Sequence, residues 1–334
     1  MNKRAANANA NAGRVETPRR APIISLWLPA LRHWPQAAWS SRLAITLGRA
    51  DRLPLPVASP TAAIPGFAVL PVDFSEAAVS RHGEAGDAAQ SVWLHAAPCH
   101  LRVEPNGLRM LACQNLGLSA DEAEDFAAVL RPLFGDLGIE LLVSAPERWY
   151  LRLPDGASAP RCSSPREVLG ADIGAHLPAG PAGLRWRHLL NEIQIDLHPH
   201  RRNAERGARG QLPVNSLWFW GGGGLPNRVQ SAHRSVIGGD PLLLGLARLA
   251  GVTATPSTDA AALTDAAVDA LVDLRRHPEL AALPGQWLEP LSRSLARGHL
   301  AALHLHFADG PAFALQRRQR WRFWRRALAH GDLG

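Results

Sequence analysis

Residues 200–223 read HRRNAERGARGQLPVNSLWFWGGG. Reduced to its special positions the stretch is H-x-x-N-x-x-R-x-x-x-G-x-x-P-x-N-x-x-W-x-W-G-x-G, a combination that ordinary core packing has no reason to select. The part carrying His200, Asn203, Arg206 and Asn215 is broken by glycine and proline, so it reads as a loop and as poor core material. Arginine is the side chain suited to two-point recognition of phosphate or carboxylate. Asn203 and Asn215 can orient such a group by hydrogen bonds, and the run Gly221 to Gly224 lets backbone approach it closely or take positive φ. Ser216 to Trp220 alternates as a strand, which puts Trp218 and Trp220 on one face, open equally to core packing and to stacking on a ligand. The expected site is a pocket for a small anion formed by His200, Asn203, Arg206, Asn215, Trp218, Trp220, Gly221 and Gly223. No helix start or lysine follows the glycines, so neither a P-loop nor a dinucleotide turn is indicated.

Upstream of this stretch the chain is rich in strands. The run IISLWL (23–28), ended by Pro29, reads as a buried first strand, 37–47 as a helix and 53–71 as irregular loop. Segments 92–94 and 99–103 alternate like strands, and Glu104-Pro105-Asn106-Gly107 supplies the turn to another at 108–112. Ser119 and Glu122 form a capping box for a helix whose face carries Phe126, Leu130, Leu133 and Phe134, and Gly135 stops it. Strands at 139–143 and 149–153 complete what reads as an α+β module with an antiparallel sheet. After a Pro/Ser/Gly/Ala-rich stretch over 155–181, helices are expected at 184–196, 241–250, 266–276 and 288–297, with a strand at 252–255. Alternation of strand and helix in this half favours a parallel sheet, so the fold class is α/β with an α+β insert.

A chain of 334 residues buries roughly three-quarters of its unfolded surface and can form one large domain or two smaller ones. No run approaches the ~20 apolar residues of a membrane helix, so no span is expected. The net charge of +7 is almost wholly arginine, since Lys3 is the only lysine, and reads as coding bias before it reads as nucleic-acid binding. Cys99, Cys113 and Cys162 lack C-x-x-C spacing, which argues against a disulfide framework or zinc site and fits a cytoplasmic location. Residues 1–21 have no apolar core and read as a disordered tail rather than a signal peptide.

The 200–223 signature resembles that of archaeal-type cofactor-independent phosphoglycerate mutases, and its intact W-F-W-G-G-G form resembles RpfE-type regulatory proteins of bacteria. The module at 92–153 and the segment GGDPLLLGLARLAGV (238–252) resemble that family in the same order, so the likeness covers roughly residues 65–255 of a domain expected over 22–334. It implies a degenerate alkaline-phosphatase-like architecture carrying an insert. The family's metal core implies a first strand ending in Asp-Gly, a serine that accepts the phosphoryl group, and late Asp and His ligands. Here the first strand ends Leu28-Pro29, and late in the chain only His304, His306 and Asp309 stand out. His304 and His306 read as side chains on the exposed face of a strand. A phosphoryl transfer on two divalent ions needs a full ligand set ~3.5–4 Å across, and none assembles.

The expectation is therefore an RpfE-type, mutase-like protein that binds a small phosphorylated or carboxylated molecule without a metal cofactor. The alternatives are an active mutase holding two manganese or zinc ions, and a nucleic-acid-associated regulator. The latter would use the run 317–326, RRQRWRFWRR, which mixes guanidinium groups and rings. The favoured reading of that run is a terminal helix or strand docked by Trp321, Trp324 and Leu328.

Overall fold

The apolar run IISLWL occupies the centre of a seven-stranded sheet. The computed structural model describes residues 20–35, 39–54, 64–71, 73–105, 107–178, 180–256 and 268–328. In chain order it opens with Ile23–Leu28 (β1), Ser41–Arg49 (α1), Asp51–Arg52 (β2), Phe67–Leu70 (β3) and Glu76–Glu84 (α2). Trp93–Glu104 (β4), Gly107–Cys113 (β5), Ala120–Gly135 (α3), Glu140–Ala145 (β6) and Arg148–Arg152 (β7) follow. Helices Pro165–Val168 (α4), Gly180–Leu197 (α5) and Arg201–Ala208 (α6) lead into Ser216–Gly223 (β8). The remainder is Arg228–Ser231 (β9), Ser235–Ile237 (β10), Pro241–Leu249 (α7), Thr253–Thr255 (β11), Ala270–Asp273 (β12), Glu289–Arg297 (α8), Ala302–Phe307 (β13) and Ala312–Leu315 (β14).

The large sheet has the order β11-β10-β12-β1-β13-β14-β2. Its first five strands are parallel, while β14 runs antiparallel to both neighbours. Ile24, Leu26 and Leu28 point to the face where Leu303, Leu305, Phe307, Leu43, Leu47 and Leu295 pack with them. A second sheet, β5-β4-β7-β6 with β8 on the other edge of β4, is antiparallel throughout. Phe126, Leu130 and Phe134 of α3 and Trp186 and Ile193 of α5 cover its inner face, where Phe219 packs with them. The α/β class with an α+β insert thus holds. β3 and β9 form a small ribbon.

Helix α2 lies between the two sheets. Val79 faces Val236, Leu246 and Leu271, while Ala77 and Ala78 meet Trp93 and Tyr150 of the second sheet. It crosses α7 almost backbone to backbone: a Cβ on Gly83 would sit 2.1 Å from the Pro241 carbonyl, and one on Gly245 1.9 Å from that of Val79. The crossing fixes the α2 N-terminus beside the C-terminal edge of the parallel strands, where open α/β sheets bind ligands.

Several expectations change. The two strands at 92–94 and 99–103 are one, β4, with Pro98 inside it and a register shift after His100. Of the helix expected at 266–276, residues 266–267 lie outside the described residues and Ala270–Asp273 is instead strand β12, all four of whose residues are buried; occlusion on both faces outweighs the helical preference of Ala and Leu. Loop 53–71 contains β3, and residues 55–63 lie outside the described residues. The first helix begins at Ser41, capped by Ser40, and residues 37–38 of the expectation lie outside the described residues, as do residues 1–19 of the expected tail. The run at 317–326 opens with a five-residue 3-10 turn, Arg317–Trp321. Trp321 and Trp324 are 61% and 69% exposed, so they do not dock it; Leu328 and the buried Gln319 do. No described helix is long and apolar enough to cross a membrane.

Candidate functional site

The first half of the signature builds an internal brace. Residues 201–208 are helix α6 rather than the loop expected there; His200 caps it, Nδ1 accepting from the Arg202 N–H at 3.3 Å while its ring lies 4.6 Å from Phe126. The Asn203 side chain donates to the Leu197 and Val214 carbonyls at 2.9 and 2.8 Å and accepts from Val214 N at 2.8 Å. Asn215 pairs with both backbone groups of Leu101 at 2.7 and 2.8 Å, tying β8 to β4. The Trp218 indole is buried and donates to Ser163 O at 2.9 Å.

Arg206, expected to clamp an anion, is fully enclosed, with 0% exposure. Its Nε donates to Leu212 O at 2.8 Å, Nη1 to Glu122 Oε2 at 3.1 Å and Nη2 to Leu116 O at 2.6 Å. Glu122 is the capping-box residue of α3, also accepting from Ser119 N at 3.1 Å and from Arg209 at 2.5 Å. Burial opposes its charge, but the Ser119 N–H and the two guanidinium groups outweigh that and hold it below the ordinary carboxylate range. The signature arginine and the capping box are one network.

The second half faces the junction of the sheets. His95 on β4 is in register with Tyr150 on β7 and Trp220 on β8. Its ring stacks on Trp220 at 4.4 Å and lies 4.9 Å from Tyr150. Burial first, and the nearby Arg148 charge second, push His95 down to about 3, so it is neutral. Its Nδ1 and the Trp220 Nε1 are buried without a protein partner. Beyond Trp220 the strand passes over the start of α2. Gly221 (φ +64°) has Glu76 Cβ only 3.2 Å from where its own Cβ would stand, and Gly223 (φ +139°) has Ser75 Cβ at the same distance. The Ser75 hydroxyl caps α2, accepting from Ala78 N at 3.0 Å and donating to Gly221 O at 2.7 Å. Glu76, the first residue of α2, is raised to about 7, by burial and then by the charge of Asp240. Arg166 and Glu167 of α4 act on it with opposite sign.

Next to this point Arg275 bridges two carboxylates. Its Nε and Nη2 meet both oxygens of Asp273, the last residue of β12, at 2.9 and 2.8 Å, and Nη2 lies 3.0 Å from Asp240 Oδ2. Asp240 Oδ1 caps α7 by accepting from Leu242 N and Leu243 N. The guanidinium carbon lies 3.5 Å above the Trp27 ring. These donors do not fit a two-ion centre: both carboxylates are engaged by arginine and helix N–H groups, and β1 ends in Leu28-Pro29 without a ligand. Among the described residues no three His, Cys, Asp or Glu side chains are placed to hold a metal ion. His304 and His306 are half-buried rather than exposed, 6.2 Å apart, and burial lowers both, His306 to about 4.

Of the sequence-predicted residues, Trp220, Gly221 and Gly223 reach the junction, and His200, Asn203, Arg206, Asn215 and Trp218 support it. Ser75, Glu76, His95, Asp240, Asp273 and Arg275 were not legible as site residues. Phe74-Ser75-Glu76 before an Ala-rich run carries an N-cap signal that points to Ser75. Asp273, which ends β12, and Arg275 just beyond it lie in a segment whose sequence reads as a helix.

No family model matches the chain. A stretch of 94 residues is 34% identical to a probable 2,3-bisphosphoglycerate-independent phosphoglycerate mutase of Geobacter sulfurreducens, covering 26% of this chain and 23% of that one. The 2,3-bisphosphoglycerate-independent phosphoglycerate mutase of Methanosarcina barkeri is 30% identical over 139 residues, 39% of this chain and 35% of its own. That of Methanothrix thermoacetophila is 32% identical over 128 residues, 34% and 33%. The matched part therefore spans about a quarter to a third of these relatives' length. Among solved structures, the cofactor-independent phosphoglycerate mutase of Thermoplasma acidophilum matches at TM-score 0.40 and 17% identity, over 88% of this chain and 89% of that one. A Pyrococcus horikoshii protein matches at 0.49 and 12%, over 89% and 88%. Over part of its length the chain is similar to archaeal-type cofactor-independent phosphoglycerate mutases.

Proposed function

We propose that the chain is a mutase-like binding protein of the RpfE type that takes a small phosphorylated or carboxylated molecule at the α2 junction and performs no metal-dependent turnover. The observation that carries this reading is Arg275, whose guanidinium stands between Asp240 and Asp273 at the C-terminal edge of the parallel sheet. A built-in cation neutralises the acidic pair that an ion would otherwise need to approach.

The ligand contacts fall to Trp220, Gly221 and Gly223, with Glu76 and His95. The Trp220 Nε1–H and the His95 Nδ1 are polar groups in search of a partner. Glu76, near 7, keeps a proton on about half of the molecules at neutral pH and can donate it to a phosphate or carboxylate oxygen. Asn203, Arg206 and Asn215 act through position, by holding β8 where its glycines can cross α2.

An active mutase is the second reading, favoured by Ser75, a hydroxyl at a helix N-terminus beside Glu76. Calorimetric titration of the folded protein with 3-phosphoglycerate, beside a coupled mutase assay with added Mn²⁺, separates the two. Heat of binding without turnover is expected. Absence of heat with 3-phosphoglycerate and other phospho-acids overturns the ligand claim, and Mn²⁺-dependent turnover overturns the claim of no catalysis.

A further inference from the structure

The C-terminal segment presents rings and guanidinium groups that nothing in the α2 junction uses. Trp321, Phe323 and Trp324 are 61%, 77% and 69% exposed, although exposing three large rings in four residues forgoes much burial. The backbone beneath them is firmly held. Leu328 N donates to Ala44 O at 2.9 Å, the Trp39 indole donates to Leu328 O at 3.2 Å, and Gly48 of α1 lies against the Arg326 carbonyl. On the other side Arg322 pairs with Asp51, and Gln319 donates to Asp51 at 3.0 Å. The segment is thus anchored by Gln319, Arg322 and Leu328 and turns its rings outward.

The charges follow the same division. Arg322 and Arg325 are the arginines that meet Asp51. Among the described residues none of Arg317, Arg318, Arg320 and Arg326 pairs with a carboxylate, all four are exposed, and the sequence from 310 to 331 contains no Asp or Glu. Arg320 lies 4.7 Å over one face of Trp321, and Phe323 and Trp324 meet edge to face. Guanidinium forks alternate here with aromatic planes along one rigidly backed strip.

We propose that residues 317–326 form a docking surface for single-stranded nucleic acid, with Trp321, Phe323 and Trp324 stacking on bases and Arg318, Arg320 and Arg326 meeting phosphates. Stacking platforms interleaved with cations are what an unpaired strand requires. An anionic membrane would select a continuous apolar face on an amphipathic helix. This segment has only a five-residue 3-10 turn, with arginine between its rings.

Fluorescence anisotropy with a labelled oligothymidylate of about 20 nucleotides tests this on the full chain. Affinity should fall with salt at a logarithmic slope of about −2, the value for three phosphates on a single strand. The variant W321A/F323A/W324A should bind roughly tenfold more weakly or worse with the slope kept. R318Q/R320Q/R326Q should flatten the slope. Both variants alter only exposed side chains, so their melting should match that of the parent. No binding at low salt, unchanged affinity in the aromatic variant, or binding to phosphatidylserine vesicles but not to the oligonucleotide overturns the proposal.

Discussion

Replacing Arg206 with alanine decides whether the signature is a brace or a clamp. The side chain is fully enclosed and makes three hydrogen bonds, to Leu212 O, Leu116 O and Glu122, between 2.6 and 3.1 Å. Its loss strands the buried Leu116 carbonyl at about 1–3 kcal/mol before relaxation, frees the part-buried Leu212 carbonyl at less cost, and removes one partner of a buried ion pair, a change that costs about 3–5 kcal/mol as a whole. Glu122 keeps the Ser119 N–H and Arg209, which places Arg206→Ala toward the lower end, about 3–4 kcal/mol. In urea the midpoint should fall by about 1 M or more. The pair Arg206→Met with Glu122→Leu, which removes both charges and keeps volume, should be less destabilised than the sum of its single variants. A clamp reaching into a solvent-filled site predicts otherwise: stability within about 0.5 kcal/mol of the parent, with ligand affinity lost. That result would falsify the brace.

Other outcomes follow from the junction. Arg275→Met leaves Asp240 and Asp273 facing one another without their cation, so added Mn²⁺ should raise the melting temperature of the variant and not of the parent; equal response in both would remove Arg275 as the internal cation. Glu76 is raised to about 7 in the fold, so its contribution to stability is complete below the unfolded carboxylate range and is lost as pH rises through 7. Relative to the parent, Glu76→Gln should therefore gain stability between about pH 4.5 and 7, reaching about 3 kcal/mol, and a difference flat with pH in denaturant titrations would contradict the assignment. Because Gly221 has φ +64° and Glu76 Cβ lies 3.2 Å from its Cβ position, Gly221→Ala should cost about 1–3 kcal/mol and weaken phospho-acid binding; unchanged calorimetry would place the ligand elsewhere.

Local chemistry made the second sheet readable. Ser119 and Glu122 fix the start of α3, the spacing of Phe126, Leu130 and Phe134 fixes its buried face, and alternation at 216–220 puts Trp218 and Trp220 on one side. The large sheet was less legible, because strands buried on both faces lose their alternation. Ala270 to Asp273, with Ala and Leu in a short apolar run, carries no period that separates strand from helix. The role of Arg206 was hidden for a different reason. Two of its three partners, Glu122 and Leu116, lie 84 and 90 positions away, and nothing local distinguishes a guanidinium that meets its own chain from one that meets a ligand.

Arg275 answers a charge problem at the edge of the large sheet. Asp273 ends β12 and Asp240 caps α7 just after β10, so the parallel pairing of β10 with β12 brings the two carboxylates together at one edge. Such a pair is costly unless a cation joins it. Arg275, two residues past the strand, turns back to chelate Asp273, reaches Asp240 and lies on Trp27, the ring that precedes Leu28-Pro29. Trp27 thereby gives the guanidinium an aromatic platform. Burial first, and the Asp240 carboxylate second, raise Glu76 to about 7 beside this cluster. An arginine between two carboxylates and a carboxyl raised to about 7 are thus neighbours at one edge, so removing the arginine should uncover the acidic pair and raise Glu76 further.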